Sequence, residues 1–277
     1  MLIKEIEQFI EEDLGHDDIS CTLVPDRSAE AIIFTKEACT VAGLGEAGAI
    51  FNYLGVRAET SLKEGDELEA GALIFRLKGG AVSILRAERL ALNFLGHLSG
   101  IASLTSSCVK LVRKHSKSTR VACTRKTTPG IRKFEKRAVV AGGGDAHRFN
   151  LSDSIMIKDN HIQLMGIEAA IRAARKASFT KKIEVEVESE GAAVLAAGLG
   201  ADIIMLDNMK PEDIVSTLKV LEEKGLKQSV LVEASGGISR ENLEEYAKTG
   251  VDVISMGALI HKARWTDISL EVINYAE

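Results

Sequence analysis

Residues 183–208 read IEVEVESEGAAVLAAGLGADIIMLDN: a strand, a short helix and a second strand that ends on a lone acid, Asp207. Alternate side chains of a strand face opposite ways, so Glu184, Glu186 and Glu188 share one face of the first strand. The pattern repeats outward in both directions. Strand-like apolar runs lie near 119–124, 154–158, 229–234 and 252–256, and helices are predicted near 131–141, 166–177, 190–198, 211–224 and 240–249. Strands about 20–35 residues apart with helices between them indicate βα units and a parallel sheet. A doubly wound sheet would carry a phosphate loop after its first strand, and none is there. The Gly-rich turns follow the last two strands instead, at Ser235-Gly236-Gly237 and Gly257-Ala258, where (β/α)₈ barrels keep a phosphate site. Only six clear strands follow residue 115, so the expectation is an incomplete, TIM-like barrel.

The first hundred residues have another texture. AIIFTKEACTVAGL (31–44) and RAETSLKEGDELEAGALIFRLKGG (57–80) are short alternating runs, with tight-turn signals at Lys63-Glu64-Gly65-Asp66 and Ala70-Gly71. They predict a small α/β sandwich with an antiparallel sheet. The turns are similar to those of lipoyl-type sandwiches, but no lysine with attachment flanks sits at a hairpin tip, which argues against a swinging-arm carrier. Residues 85–112 predict a long helix in which Gly96 and Gly100 allow close packing or a break. The expected division is 1–112, an N-terminal sandwich that includes this helical segment and acts as a lid, and 113–277, the barrel. The C-terminal segment is a candidate to return to the N-terminal domain.

Composition narrows the function. The chain is 277 residues long and 45% hydrophobic, enough to bury a full core. No apolar run nears the roughly 20 residues of a membrane span. Residues 2–13 form an amphipathic helix without the basic start and apolar centre of a signal peptide, so the expectation is a cytoplasmic protein with no membrane partner. Cys21, Cys39, Cys108 and Cys123 form no C-x-x-C pair and read as reduced, buried thiols. Residues 113–148 hold eleven Lys/Arg against two Asp/Glu, +9 in a chain of net charge −5. Nucleic acid is not the expected partner: the rest of the chain carries −14, and only Phe134 and Phe149 interleave with the basic residues. Arg113, Lys114, Lys117, Arg132, Lys133, Lys136 and Arg137 read as solvated helix surface.

The remaining cations stand at strand ends or in Gly-rich turns: Arg125-Lys126, His147-Arg148 and Lys158. Strand ends of a parallel barrel face one mouth, so these groups converge, and fixed cations gathered there suit a small, multiply negative ligand. The same geometry brings Glu186 and Asp207 together, and two carboxylates could hold Mg²⁺ while the ion keeps waters and takes substrate oxygens. Pairing of the strand's glutamates with the barrel's own lysines is an equal reading. Glycines at Ser235-Gly236-Gly237, ahead of a helix starting near Arg240, suit a phosphate. No nucleophile-and-base pair stands out.

TRKTTPG (124–130), GGGDAHR (142–148) and IKDNH (157–161), with EVEVES, LDNM and EASGGIS downstream, resemble the quinolinate phosphoribosyltransferases, carboxylating. The resemblance runs from about Asp13 to the C-terminus and implies an irregular, seven-stranded barrel. It implies quinolinate and phosphoribosyl pyrophosphate as substrates, Mg²⁺ as cofactor, and a homodimer or a hexamer built as a trimer of dimers. Arg125, His147, Arg148 and Lys158 match residues that bind the two quinolinate carboxylates, and Arg89 matches an arginine reaching in from the neighbouring subunit. Lys126 matches a lysine between base and phosphoribosyl group, and Glu186 and Asp207 match residues around the ribose hydroxyls and metal. Catalysis is thus assigned to Lys126, Glu186 and Asp207, and the phosphate site to Ser235, Gly236, Gly237 and Gly257. One departure is Ala146, where relatives often have Asn before the His-Arg pair. His161 is either a ligand or a supporting hydrogen-bonding residue. Two other readings are a molybdenum-uptake-associated paralogue, which the intact Lys158-Asp159-Asn160-His161 disfavours, and a non-catalytic phosphoribosyl-pyrophosphate or anion sensor. Retention of both Glu186 and Asp207 disfavours the sensor.

Overall fold

The computed structural model describes residues 1–25 and 27–275. It divides into two compact units: Met1–Leu104 with Ala141–Gly143 and the chain from Ala263 onward, and Thr105–Val140 with Gly144–Lys262. The division falls inside one long helix, between Leu104 and Thr105, and not after residue 112 as the sequence pattern places it.

The first unit contains α1 (Ile3–Leu14), β1 (Ser28–Thr35), β2 (Cys39–Thr40), α2 (Leu44–Tyr53), β3 (Arg57–Glu59), β4 (Glu67–Leu68), β5 (Leu73–Gly80) and most of α3 (Ala81–Arg113). In β1 the two-residue period buries Ala29, Ala31, Ile33 and Thr35. Gly65 closes the Lys63–Asp66 turn at φ +94°, and a Cβ there would stand 2.6 Å from the Ala141 carbonyl oxygen. Beside it, Glu64 accepts the Gly43 and Gly45 N–H groups (2.9 and 3.2 Å), satisfying donors that the start of α2 leaves open. Gly96 and Gly100 do not break α3; they serve close packing. A Cβ at Gly100 would lie 2.1 Å from the Arg264 carbonyl oxygen.

The second unit continues through β6 (Arg120–Ala122), α4 (Arg132–Ala141), β7 (Ile155–Ile157), α5 (Asp159–Met165), α6 (Ile167–Ala177) and β8 (Ile183–Val187). It then adds α7 (Glu190–Gly198), β9 (Ile203–Asp207), α8 (Pro211–Glu223), β10 (Leu231–Ser235), α9 (Leu243–Ala247), β11 (Val253–Ser255) and α10 (Ala258–His261). The last element, β12 (Ile268–Tyr275), pairs antiparallel with β1, giving the first unit a sheet ordered β12-β1-β5-β3 beside a separate β2-β4 pair.

Among the described residues, six strands of the second unit run parallel in the order β6-β11-β10-β9-β8-β7. On the far side of β6, Asp145 makes one further parallel bridge to Ala122. Its N–H donates to the Val121 carbonyl and its carbonyl accepts the Cys123 N–H (2.8 and 3.0 Å). A strand one residue long has no periodicity, which is why the sequence yields six strands. Ile183, Val185, Val187, Ile204, Leu206, Val232 and Ala234 are buried on one face, and alternation puts Glu184, Glu186, Asp207, Glu233 and Ser235 on the other. One expected helix is shorter than its pattern. α9 starts at Leu243, not near Arg240, because Asn242 Oδ1 accepts the Ser239 N–H (2.8 Å) and holds 239–242 as a turn.

Candidate active site

Parallel strands bring their C-terminal ends to one side, and the second unit has a cavity of about 350 Å³ there. Arg125 and Lys126 reach it from beyond β6, His147 and Arg148 from beyond the Asp145 bridge, and Lys158 from beyond β7. Glu186 of β8, Asp207 of β9 and Ser235 of β10 complete the set. Gly236 and Gly237 continue from Ser235 in the left-handed region (φ +90° and +61°). A Cβ on Gly236 would stand 2.3 Å from Asn208 Oδ1, so only glycine fits. Gly257 follows β11 closely enough that its Cβ would stand 3.1 Å from Lys126 Cδ. Arg89 is not brought in by the second unit: it is exposed on α3, in the first.

The cations of this cavity are only partly neutralised by the protein. Arg125 Nε is buried with no hydrogen-bond partner, and Arg148 donates to Met156 Sδ (3.0 Å) instead of a carboxylate. Burial, and then the nearby charge of Arg125, lower the Arg148 pKa, with Glu184 and Glu186 acting against them. A small anion between the two arginines would remove that repulsion and fill the open donor. Lys158 donates to Glu186, and its own N–H donates to His161 Nδ1 (3.0 Å). His161 thus closes the first turn of α5 and holds the residue that bears the cation.

The acids divide into two levels. At the mouth, Asn208 Nδ2 donates to Asp207 (2.6 Å) from a left-handed backbone, φ +54°. Burial raises the Asp207 pKa, and the charges of Glu186 and Glu188 raise it further. Two neighbouring oxygen ligands that repel each other are a fitting pair for a hard divalent cation. Deeper in, Glu184 and Glu233 lie under His147. His147 Nε2 is 3.2 Å from Glu233 and 3.7 Å from Glu184, while its Nδ1 accepts the Arg148 N–H (2.8 Å). Burial would lower the His147 pKa, but the hydrogen bond and charge of Glu233, with Glu184 behind it, leave it raised. Glu184 is 1% exposed, neither of its oxygens has a hydrogen-bond partner, and burial plus the Glu233 charge push it up to about 7. These three residues offer ligand atoms within 4.8 Å of one another, but a proton on Glu184 relieves their repulsion as a metal would.

The sequence misplaced two cations of α4. Arg132 is half-buried and donates to Thr127 Oγ1 (3.0 Å) and to the Phe149 carbonyl (3.3 Å). Lys136 is not solvated surface: it is 0% exposed on α4 and donates to Cys123 Sγ (3.5 Å) and to the Ala146 carbonyl. The sequence reading misses Glu233 and Asn208 as site residues and takes Lys136 for surface. Glu233 carries the same signal as Asp207, an acid in an apolar strand (LVEAS), whereas Lys136 sits in a basic run that reads as surface.

The comparisons with known proteins agree over nearly the whole chain. It is 47% identical over 271 residues to the probable nicotinate-nucleotide pyrophosphorylase (carboxylating) of Methanothermobacter thermautotrophicus, covering 96% of this chain and 97% of the relative. It is 43% identical to the human nicotinate-nucleotide pyrophosphorylase (carboxylating) over 246 residues, 88% of this chain and 82% of the human one. The nicotinate-nucleotide pyrophosphorylase structure from Francisella tularensis superposes with a TM-score of 0.92 at 37% identity, covering 98% of this chain and 95% of that one. Models of the N-terminal and C-terminal domains of quinolinate phosphoribosyl transferase match residues 18–99 and 101–271, and the chain belongs to that family.

Proposed function

We propose that this chain transfers phosphoribosyl from phosphoribosyl pyrophosphate to quinolinate with loss of CO₂, giving nicotinate mononucleotide and pyrophosphate for NAD synthesis. The observation that carries the reading is the one cavity that the under-neutralised Arg125 and Arg148 line together with Glu186 and Asp207. Arginines suit a planar dicarboxylate, and paired acids suit ribose hydroxyls and a divalent cation. The Gly236-Gly237 turn and Gly257 suit the 5′-phosphate, because both leave backbone N–H groups open to close approach. Lys126, which lies against Gly257, matches the family lysine between base and phosphoribosyl group.

The pyridine nitrogen attacks C1′ of the ribose as pyrophosphate leaves through an oxocarbenium-like state. The resulting N⁺ stabilises the carbanion formed when the adjacent C2 carboxylate departs as CO₂, and that carbanion takes a proton from water to give nicotinate mononucleotide. Glu186 and Asp207 orient the ribose and stabilise positive charge at C1′, which is electrostatic catalysis by fixed groups. A cation held tightly on the C2 carboxylate would stabilise the ground state and slow decarboxylation. Arg125, His147 and Arg148 therefore bind and orient, and the pyridinium drives CO₂ loss. Mg²⁺ would be held by Glu186 and Asp207, where it would neutralise charge on the pyrophosphate leaving group.

The direct test is to mix the protein with quinolinate, phosphoribosyl pyrophosphate and Mg²⁺ and measure nicotinate mononucleotide and CO₂; nicotinate in place of quinolinate should give no product. Asp207→Asn should lower kcat on the order of 100-fold and leave quinolinate affinity nearly unchanged. Normal turnover of that variant across a magnesium titration would refute the metal role.

The active form is a homodimer or a hexamer built as a trimer of dimers, with Arg89 acting on the site of a second copy. The oxocarbenium-like state needs shelter from water, and no long Gly-hinged loop in the barrel repeats supplies a lid. Mixing Arg89→Ala with Lys126→Ala under subunit exchange should restore part of the activity, since hybrids contain one intact site. No recovery despite demonstrated exchange would place Arg89 in cis or outside the reaction.

A further inference from the structure

His147 has a strained backbone. Its φ of +51° is left-handed, a region that non-glycine residues keep only when their surroundings fix them. Part of the fixing is visible on His147 itself: its N–H donates to Asp145 Oδ1 (2.7 Å), and its ring lies between Glu233 and the Arg148 N–H. The other side of the kink is Ala146. Asp145 is the end of the one-residue strand, so the Ala146 carbonyl has no strand neighbour to supply a donor. A backbone carbonyl in such a place must find a donor elsewhere.

Two side chains supply it. The Cys123 thiol, just past β6, donates to the Ala146 carbonyl (3.2 Å). Lys136 Nζ, coming from α4, donates to the same carbonyl and to Cys123 Sγ (3.5 Å). The amine, thiol and carbonyl form a closed triangle in which every member is buried or half-buried, and the Phe149 ring centroid lies 5.6 Å from the amine. Burial, foremost, lowers the Lys136 pKa and raises that of Cys123, so the thiol keeps the proton it donates. Among the described residues neither group has a carboxylate hydrogen-bonded to it; Cys123 lines the cavity as a neutral thiol, and Lys136 is not part of the lining. Their common element is one main-chain atom next to the His147-Arg148 pair. This also answers the departure at Ala146: the loop is gripped through its main chain, so a side-chain amide is not required.

We propose that Lys136 is a positioning residue for dicarboxylate recognition: by holding the Ala146 carbonyl against the end of β6 it fixes the left-handed kink that turns Arg148 into the cavity. This rests on the quinolinate reading of that cavity. The role is local, so it predicts a split between the two substrates.

The test is calorimetric binding of quinolinate and of phosphoribosyl pyrophosphate with Mg²⁺ to wild type, Lys136→Met and Lys136→Gln. Lys136→Met keeps length and removes the donor; it should weaken quinolinate at least 10-fold while phosphoribosyl pyrophosphate changes less than 3-fold. Lys136→Gln keeps a donor and should fall between the two. Quinolinate affinity within 2-fold of wild type in folded Lys136→Met would overturn the inference, and so would equal weakening of both substrates. Failure of both variants to fold would overturn it too, by making Lys136 a requirement of the barrel instead of the loop. Wild type that binds no quinolinate would refute the functional reading itself, which separates the two failures.

Discussion

The mouth and the floor of the barrel cavity hold similar residues under opposite conditions. At the mouth, Lys158 and Glu186 are paired, the lysine side chain is 44% exposed, and water and ligands can replace either partner. On the floor, Glu184 and Glu233 are shut away under His147, with three carboxylate oxygens lacking any hydrogen-bond partner. Charges at the mouth can be exchanged for substrate. Charges on the floor must be settled by the protein alone, and here that means a proton. The difference separates residues that meet ligand from residues that keep the ligand-binding groups in place.

The floor gives the largest expected effect. Glu184 is raised from an ordinary 4.5 to about 7 in the folded state, so the folded protein holds a proton that the unfolded chain has released. Its contribution is fully present below about pH 4.5 and is lost as pH rises to about 7. The magnitude is on the order of 3 kcal/mol. Asp207 and His147, both raised, act in the same direction over their own ranges. Glu184→Gln removes the titration and should flatten the fall in denaturant-measured stability between pH 4.5 and 7. An unchanged slope would mean that Glu184 is not the group holding that proton.

Next comes the ligand-facing cation. Arg148→Ala should raise the quinolinate KM by about 10- to 150-fold, the loss of a charge-assisted hydrogen bond worth roughly 1.5–3 kcal/mol. The fold should survive, because among the described residues the Arg148 guanidinium donates only to Met156 Sδ, and its removal leaves no buried carboxylate without its hydrogen-bond partner. A variant with unchanged quinolinate affinity would remove Arg148 from the dicarboxylate site.

The sequence made the mouth legible and left the floor obscure. Strand ends are marked by apolar runs that stop at a charge, so Arg125, Lys158 and Asp207 could be placed together from βα repetition alone. Strand alternation put Glu184, Glu186 and Glu188 on one face without choosing among them, and the glycines at 236 and 257 could be placed by their position after the last strands. The floor depends on which residues of different strands stand at one height, and registers such as Glu233 opposite Met205 are not written in any local pattern. The buried Lys136 failed for a related reason: its neighbours Lys133 and Arg137 give α4 the look of a solvated helix, while the carbonyl it serves belongs to a loop ten residues away. The seventh strand, a single bridge at Asp145, is too short to leave a signal at all. In the first unit the antiparallel sheet was legible from its turns, because Gly65 and Gly71 stand at positive φ where a turn demands it.

The smallest expected effect tests whether the mouth is truly exchangeable. In the free protein Lys158 sits on Glu186, so a cation approaching Glu186 and Asp207 must displace an ammonium already in place. An ion pair this exposed is worth less than about 1 kcal/mol, so Lys158→Met should change stability by no more than that. Removing the ammonium also removes the larger of the two lysine charges that lower the Asp207 pKa, leaving Lys126 alone against Glu186 and Glu188. The two acids then repel with less relief, and Mg²⁺ is a group that supplies it. Lys158→Met should therefore bind Mg²⁺ in the absence of substrates about 2- to 5-fold more tightly than wild type, the ratio that up to 1 kcal/mol of competition allows. A magnesium titration followed by calorimetry or thermal shift reads this directly, alongside weaker quinolinate binding by the same variant. A large loss of stability would show that Lys158 is as fixed as the floor, and weaker Mg²⁺ binding would show that the ion does not use Glu186.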